Sequence, residues 1–210
     1  MRASIVGFGE LGKQYFNFLK EDKSYTDFIF FDDLAKENNE ENVFSFPDHL
    51  LDNYSDTAFF VSLGYKHLAL KYQLLMKLKQ INRITPSFIH SSCFVSNSAF
   101  VSDAAFLYPL CNVDKNVSIG LGTLLNNSVI VSHDSVIGNC CYLSPGVVVS
   151  GNVNIGDFTF IGSGSIISNS VSIGRNVNIG VGSVITKDIP DNSFVIGNPM
   201  RILTKGFTIL

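Results

Sequence analysis

His133 is followed directly by Asp134, and Gly151 lies 18 residues further on. A histidine beside a carboxylate suits general base catalysis, because the carboxylate orients the ring and stabilises the imidazolium formed when the ring takes a proton. Histidine, with an ordinary pKa of ~6.5, is the side chain made for that exchange near neutrality. A backbone N–H nearby, such as that of Gly151, is a candidate to steady an oxyanion. A second constellation lies near the N-terminus: Gly7, Gly9 and Gly12 follow a short apolar run, and Asp32 stands twenty residues after the last glycine, with Asp33 beside it. Glycines so spaced at a helix start offer backbone amides to phosphate, and an acidic residue at that distance suits ribose or base. The fingerprint alone also fits NAD, but this segment is too short for a full dinucleotide fold and no dehydrogenase constellation follows it.

The elements that must hold His133 are set by a repeat. From Val95, steps of six give Val95, Val101, Leu107, Val113, Ile119, Leu125, Val131, Ile137, Leu143, Val149, Ile155, Ile161, Ile167, Ile173, Ile179 and Ile185, sixteen aliphatic residues without interruption. The residue two before each is small or β-branched, from Cys93 and Ala99 to Val177 and Ser183. A six-residue unit is one short strand and a corner, and three units close a triangular coil of 18 residues, so the pattern predicts a parallel β-helix with its aliphatics inside. A β-sandwich of short strands would need hairpin turns that the strict spacing does not leave. Gly120, Gly138, Gly156, Gly162, Gly174 and Gly180, each just after an aliphatic, are expected at turns with unusual backbone angles. His133, two residues after the inward Val131, falls on an outer corner, with Gly151 stacked one coil above it.

The N-terminal part, up to Ile84, follows another pattern. Strands are expected near Ala3–Val6, Asp27–Phe31 and Thr57–Leu63, with a helix through Phe16 and Leu19 after the glycines. Pro47 is placed to open a short helix, and Lys36 to Asn42 reads as an exposed loop. An amphipathic helix from Lys66 to Ile81 carries Leu70, Leu74, Leu75 and Leu78. This order implies a three-stranded parallel sheet, a small Rossmann-like α/β domain. The organisation expected is therefore a Rossmann-like domain over 1–84, a β-helix over 91–186 and a closing segment over 187–210, and the resemblance given below implies that the first of these binds a nucleotide sugar. A net charge of −3 leaves no basic footprint for nucleic acid. No apolar run reaches the ~18 residues of a membrane span and no leader pattern opens the chain, so a cytoplasmic protein is expected. Cys93, Cys111, Cys140 and Cys141 lack CxxC or zinc spacing and read as reduced packing residues, with no metal expected.

The repeat resembles that of the left-handed β-helix acyltransferases. Over nearly the whole chain the sequence is similar to the sialic-acid O-acetyltransferase and bacillosamine N-acetyltransferase group (NeuD/PglD type). The matching residues are the glycine loop, Phe30-Phe31-Asp32-Asp33, His133-Asp134, Ser144-Pro145-Gly146, Gly151-Asn152 and Ile196-Gly197-Asn198-Pro199-Met200-Arg201. Three positions depart from that pattern: Glu10-Leu11 stand where Gly-His is frequent, Tyr142 replaces a histidine nine residues after the catalytic one, and Met200 replaces alanine. The resemblance implies a homotrimer that N-acylates a UDP-, dTDP- or GDP-linked 4-amino-dideoxy sugar for a bacterial surface glycan, with acyl-CoA, most simply acetyl-CoA, as co-substrate. It implies catalysis by His133, Asp134 and Gly151, nucleotide-sugar binding by Gly7, Gly9, Gly12, Asp32 and Asp33, and acyl-CoA binding by Tyr142, Gly151, Lys187 and Arg201, with Lys205 a further cation for the CoA phosphates. O-acetylation of a free sugar such as sialic acid, and a non-catalytic nucleotide-sugar-binding protein, are the alternatives. The three-histidine metal site of γ-class carbonic anhydrases finds no ligand set, since His49, His67 and His90 lie outside the repeat or at its edge.

Overall fold

The computed structural model describes residues 1–38, 42–50, 54 and 56–203. It divides into two compact units, Met1–Pro86 and Ser87–Leu210. In the first, strand β1 (Arg2–Val6) lies between β2 (Asp27–Phe31) and β4 (Ala58–Val61), all parallel, and β3 (Val43–Phe44) adds an edge strand beside β2. The sheet thus has four strands where three were expected; β3 is two residues long and sits in a polar stretch, so it leaves no alternating pattern. Ala3, Ile5, Ala58 and Phe59 are wholly buried, the composition of a parallel sheet covered on both faces.

Helix α1 (Glu10–Asp22) follows the glycines and ends where Lys23 turns left-handed, φ 63°. The stretch read as a loop begins instead as helix α2 (Asp33–Glu37), because the Asp32 carboxylate caps it by accepting the Ala35 N–H at 3.0 Å; residues 39–41 lie outside the described ones. Helix α3 (Leu68–Gln80) buries Leu68, Lys71, Leu75 and Leu78, whereas Leu70 is exposed. Leu68 itself faces inward, and two helical steps carry Leu70 nearly to the opposite side.

The second unit is a parallel β-helix. Its first strand, Phe88–Ile89, stands one hexad before Val95, and strands one coil apart pair in register on three faces. Val131 pairs with Val113 and Val149, and the same face continues to Ile167 and Ile185. Nearly all of the hexad aliphatics are buried in one continuous core. After Ile185 the coil shortens, so that Ile173 bridges Ile189 and Ile179 pairs with Val195. Strand Arg201–Leu203 then pairs antiparallel with Phe194–Ile196; Lys205 lies outside the described residues.

The small column does more than fit a tight corner. The hydroxyl of Thr123 donates to the Gly138 carbonyl at 2.7 Å and accepts the Cys141 N–H at 3.0 Å, and Ser135, Thr159 and Ser165 bridge successive coils the same way. Cys93, Cys111 and Cys141 occupy the same positions with their thiols toward the equivalent carbonyls, and none of the four cysteines is in a disulfide among the described residues. The role expected of Gly120, Gly138 and their kin is corrected. None of them has positive φ; a Cβ on Gly120 would instead lie 2.5 Å from the backbone of Gly138 in the next coil, so stacking is what demands glycine there. The left-handed residue is the third after each aliphatic, at every sixth position from Ala104 to Gly182.

Candidate active site

The corner after Val131 is held at both backbone and side chain. The Asp134 N–H donates to the Lys115 carbonyl one coil below at 3.0 Å, and the Asn152 N–H donates to the His133 carbonyl at 2.9 Å from one coil above. Asp134 is the left-handed residue of this corner, φ 58°, which turns its carboxylate back toward the imidazole. Nδ1 of His133 lies 2.9 Å from Oδ2 of Asp134. An ionised carboxylate can only accept, so Nδ1 carries the proton and Nε2 is left as the basic nitrogen. The two side chains are 43% and 40% exposed, open to a ligand from solvent.

Asn116, one coil below Asp134, was not singled out from the sequence. Its Nδ2 donates to the other carboxylate oxygen of Asp134 at 2.9 Å. That hydrogen bond, and then the one with His133, holds the Asp134 carboxyl below its ordinary value. The signal that finds Asn116 is its place one coil before Asp134, legible once the length of the coil is known.

Gly151 stands one coil above His133, where it was expected. A Cβ placed on it would lie 2.6 Å from both Cε1 and Nε2 of His133, so the imidazole occupies the space that any other residue would fill with its side chain. Its N–H, the expected oxyanion donor, is already taken by Oδ1 of Asn169 at 2.9 Å. The reason is a corner device seen elsewhere in the solenoid: Asn139 accepts the Leu121 N–H and Asp157 the Asn139 N–H, each from one coil above.

With the register Val131–Val149–Ile167–Ile185, the residues His133, Gly151, Asn169 and Lys187 form one column along a single edge. Exposed Lys187 therefore lies three strand spacings from His133, about 14 Å along the axis. Tyr142 and Arg201 are not brought to this edge. Nine residues are half a coil, so Tyr142 lies on the far face, where its ring packs against Phe160 at 5.8 Å and its hydroxyl accepts from Asn126 at 3.2 Å. Arg201 is exposed on the last strand of that same sheet. Among the described residues no cluster of His, Cys, Asp or Glu is placed to hold a metal ion.

In the N-terminal unit the three glycines have three different reasons. Gly7 has φ 105°, where only glycine is at ease. A Cβ on Gly12 would lie 2.1 Å from the Gly7 carbonyl, so this glycine lets α1 approach the loop; a Cβ on Gly9, the residue before the helix, would meet nothing within 4 Å. Gly9 is thus the open point at which a phosphate can approach the uncapped amides of α1. Glu10 stands in that first helical turn, its side chain 3.5 Å from Lys13. The Asp32 carboxylate spans the loop and the next helix, accepting the Phe8 N–H at 2.9 Å as well as capping α2. Asp33 accepts the Phe46 N–H at 2.8 Å and is otherwise exposed. Ser62, unremarked in the sequence, donates to the Val6 carbonyl at 2.8 Å and anchors the loop from β4's end.

The repeat and solenoid are similar to those of a known family: the model of bacterial transferase hexapeptide (six repeats) matches residues 152–187. No curated protein sequence matches the chain. Solved structures match over nearly its whole length. The acetyltransferase domain of PglB from Neisseria gonorrhoeae FA1090 is 25% identical over 96% of this chain and 99% of that one, with a TM-score of 0.82; the same domain is known in complex with acetyl coenzyme A. PerB from Caulobacter crescentus, in complex with CoA and GDP-perosamine, is 24% identical over 97% of this chain and 98% of its own, TM-score 0.89. WeeI from Acinetobacter baumannii AYE is 23% identical over 97% and 100%, TM-score 0.88.

Proposed function

We propose that the protein transfers an acyl group, most simply acetyl, from acyl-CoA to the amine of a nucleotide-linked amino sugar, as a step in building a bacterial surface glycan. The chain is a hexapeptide-repeat acyltransferase, and the observation that carries the reaction is the His133–Asp134 pair, with its ring seated over Gly151. The amine nitrogen attacks the thioester carbonyl while Nε2 of His133 takes its proton, and Asp134 stabilises the imidazolium. The tetrahedral intermediate collapses as the C–S bond breaks, the N–C bond remains, and the imidazolium proton passes to the CoA thiolate. No acyl-enzyme is needed; Cys140 and Cys141 are buried.

Lys187, on the histidine's own edge, suits the phosphates of CoA, and Gly9 with Asp32 and Asp33 suits the nucleotide. The ligands of PerB and of the PglB domain, GDP-perosamine with CoA and acetyl-CoA, support both halves of this reading. A homotrimer is supported by the outward column Phe94, Ile130 and Ile166, which is 59%, 41% and 44% exposed on the face that ends at the His133 corner. In a trimer Tyr142 and Arg201 would serve the histidine of a neighbouring subunit. No helix of the described residues is long and apolar enough to cross a membrane, and CoA-dependent chemistry fits a cytoplasmic enzyme.

A panel of acyl-CoA and nucleotide-amino-sugar pairs, read by thiol release and by product mass, tests this. A product heavier by one acyl group on nitrogen is expected. Acylation only of a hydroxyl on a free sugar would favour an O-acetyltransferase, and binding without thiol release a non-catalytic protein. Sedimentation should give a trimer at micromolar concentration; a monomer in the presence of substrate refutes the shared site.

A further inference from the structure

The geometry points to the side-chain amide of Asn169 as the donor that binds the oxyanion, in place of the Gly151 N–H; the inference rests on the acyl-transfer reading above. With its N–H donated to Asn169, Gly151 has no second backbone proton to give. That same bond fixes which way the carboxamide faces. An N–H must meet the oxygen, so Oδ1 is turned down onto Gly151 and the NH2 group is turned away from it.

What becomes of that NH2 depends on the residue one coil further. At the comparable corner Asn139 also accepts an N–H from below, and its Nδ2 is consumed by the Asp157 carboxylate above, at 3.1 Å. Above Asn169 stands Lys187, an ammonium that has only donors. No acceptor among the described residues takes the Asn169 Nδ2, and the side chain is exposed. Asn169 from above and the His133 imidazole from below both converge on Gly151. The base and the Asn169 carboxamide therefore stand on either side of one glycine, the carboxamide's N–H donors uncommitted, with a cation next in the column. As the amine attacks, the thioester carbonyl oxygen gains negative charge, and Nδ2 donates to it without any reorganisation of the coil.

Two substitutions separate the donor from the cap. Asn169→Asp keeps the oxygen that accepts the Gly151 N–H and removes the donor; Asn169→Ala removes both and frees the Gly151 N–H. The expected result for Asn169→Asp is a fall in kcat of about 10²–10³-fold, the range for losing one oxyanion donor. KM for both substrates and the melting temperature should hardly change. Asn169→Ala should also lose at least tenfold. Wild-type turnover in Asn169→Asp, or wild-type or faster turnover in Asn169→Ala, overturns the assignment and returns the oxyanion to Gly151, while the wild-type enzyme's own activity leaves the function standing. A wild-type protein without turnover on any pair overturns the proposed function and this assignment with it.

Discussion

Replacing Gly151 with alanine would put a methyl group 2.6 Å from Cε1 and Nε2 of His133. Carbon atoms in contact settle at ~3.5–4.0 Å, so the imidazole must retreat by roughly 1 Å. Its freedom is limited, because Nδ1 is tied to Asp134 at 2.9 Å and the His133 carbonyl is bonded to the Asn152 N–H. The ring can yield only by swinging off Asp134 into solvent, which costs the fold little, since the side chain is already 43% exposed and Gly151 has no positive φ. Catalysis is far more sensitive: a ~1 Å misplacement of a reacting group costs on the order of 10²-fold in rate. Gly151→Ala should therefore keep its melting temperature and its backbone N–H, and lose about 10²-fold in kcat with KM nearly unchanged. The assay is steady-state thiol release on the best substrate pair, beside thermal melting. Near-wild-type kcat in a folded Gly151→Ala protein would refute the view that this glycine exists to seat the histidine.

Three further outcomes follow from the same geometry. His133→Asn should leave the melting temperature unchanged and reduce turnover about 10²–10⁴-fold, the range for removing a general base; Asp134→Asn should cost less. Asn116→Ala removes the main cause of the depressed Asp134 carboxyl, so its titration, followed by carboxyl-carbon NMR, should move up toward the ordinary value. A carboxyl depressed by folding contributes stability that is present above its unfolded pKa and lost as pH falls through its folded pKa, so wild type and Asn116→Ala should differ near neutrality and converge in strong acid. Asp32→Ala should cost the N-terminal unit about 1 kcal/mol through the lost cap, whereas Asp32→Asn can keep the cap while giving up the bond from the Phe8 N–H; calorimetry showing unchanged nucleotide-sugar affinity in Asp32→Asn would confine Asp32 to a structural role.

The solenoid was legible because its core is written at a fixed step: one strand to each hexad and three hexads to each coil leave the aliphatic column no other arrangement. The same arithmetic placed His133 on a corner with Gly151 above it. The N-terminal unit was less legible, since β3 is two residues long and α2 owes its start to one aspartate carboxylate rather than to any apolar stripe. Asn116 and Asn169 escaped for another reason. Both are polar residues on exposed corners, Asn116 in the left-handed turn that asparagine adopts with ease and Asn169 beside such a turn, and type alone says nothing about which neighbour a carboxamide will face.

Gly151 shows why the coil-to-coil step is necessary but incomplete. A glycine stacked on a histidine has two things to offer, a backbone N–H and the absence of a Cβ, and both follow from the same letter in the sequence. The N–H is engaged by Asn169, which lies one coil further on and already accepts that proton. The missing Cβ remains, because the imidazole stands in its place. Gly151→Ala preserves the N–H and removes the space, while Asn169→Asp preserves the hydrogen bond and removes the donor. If both lose turnover while both keep their fold, the glycine acts by making room and the oxyanion belongs to the asparagine.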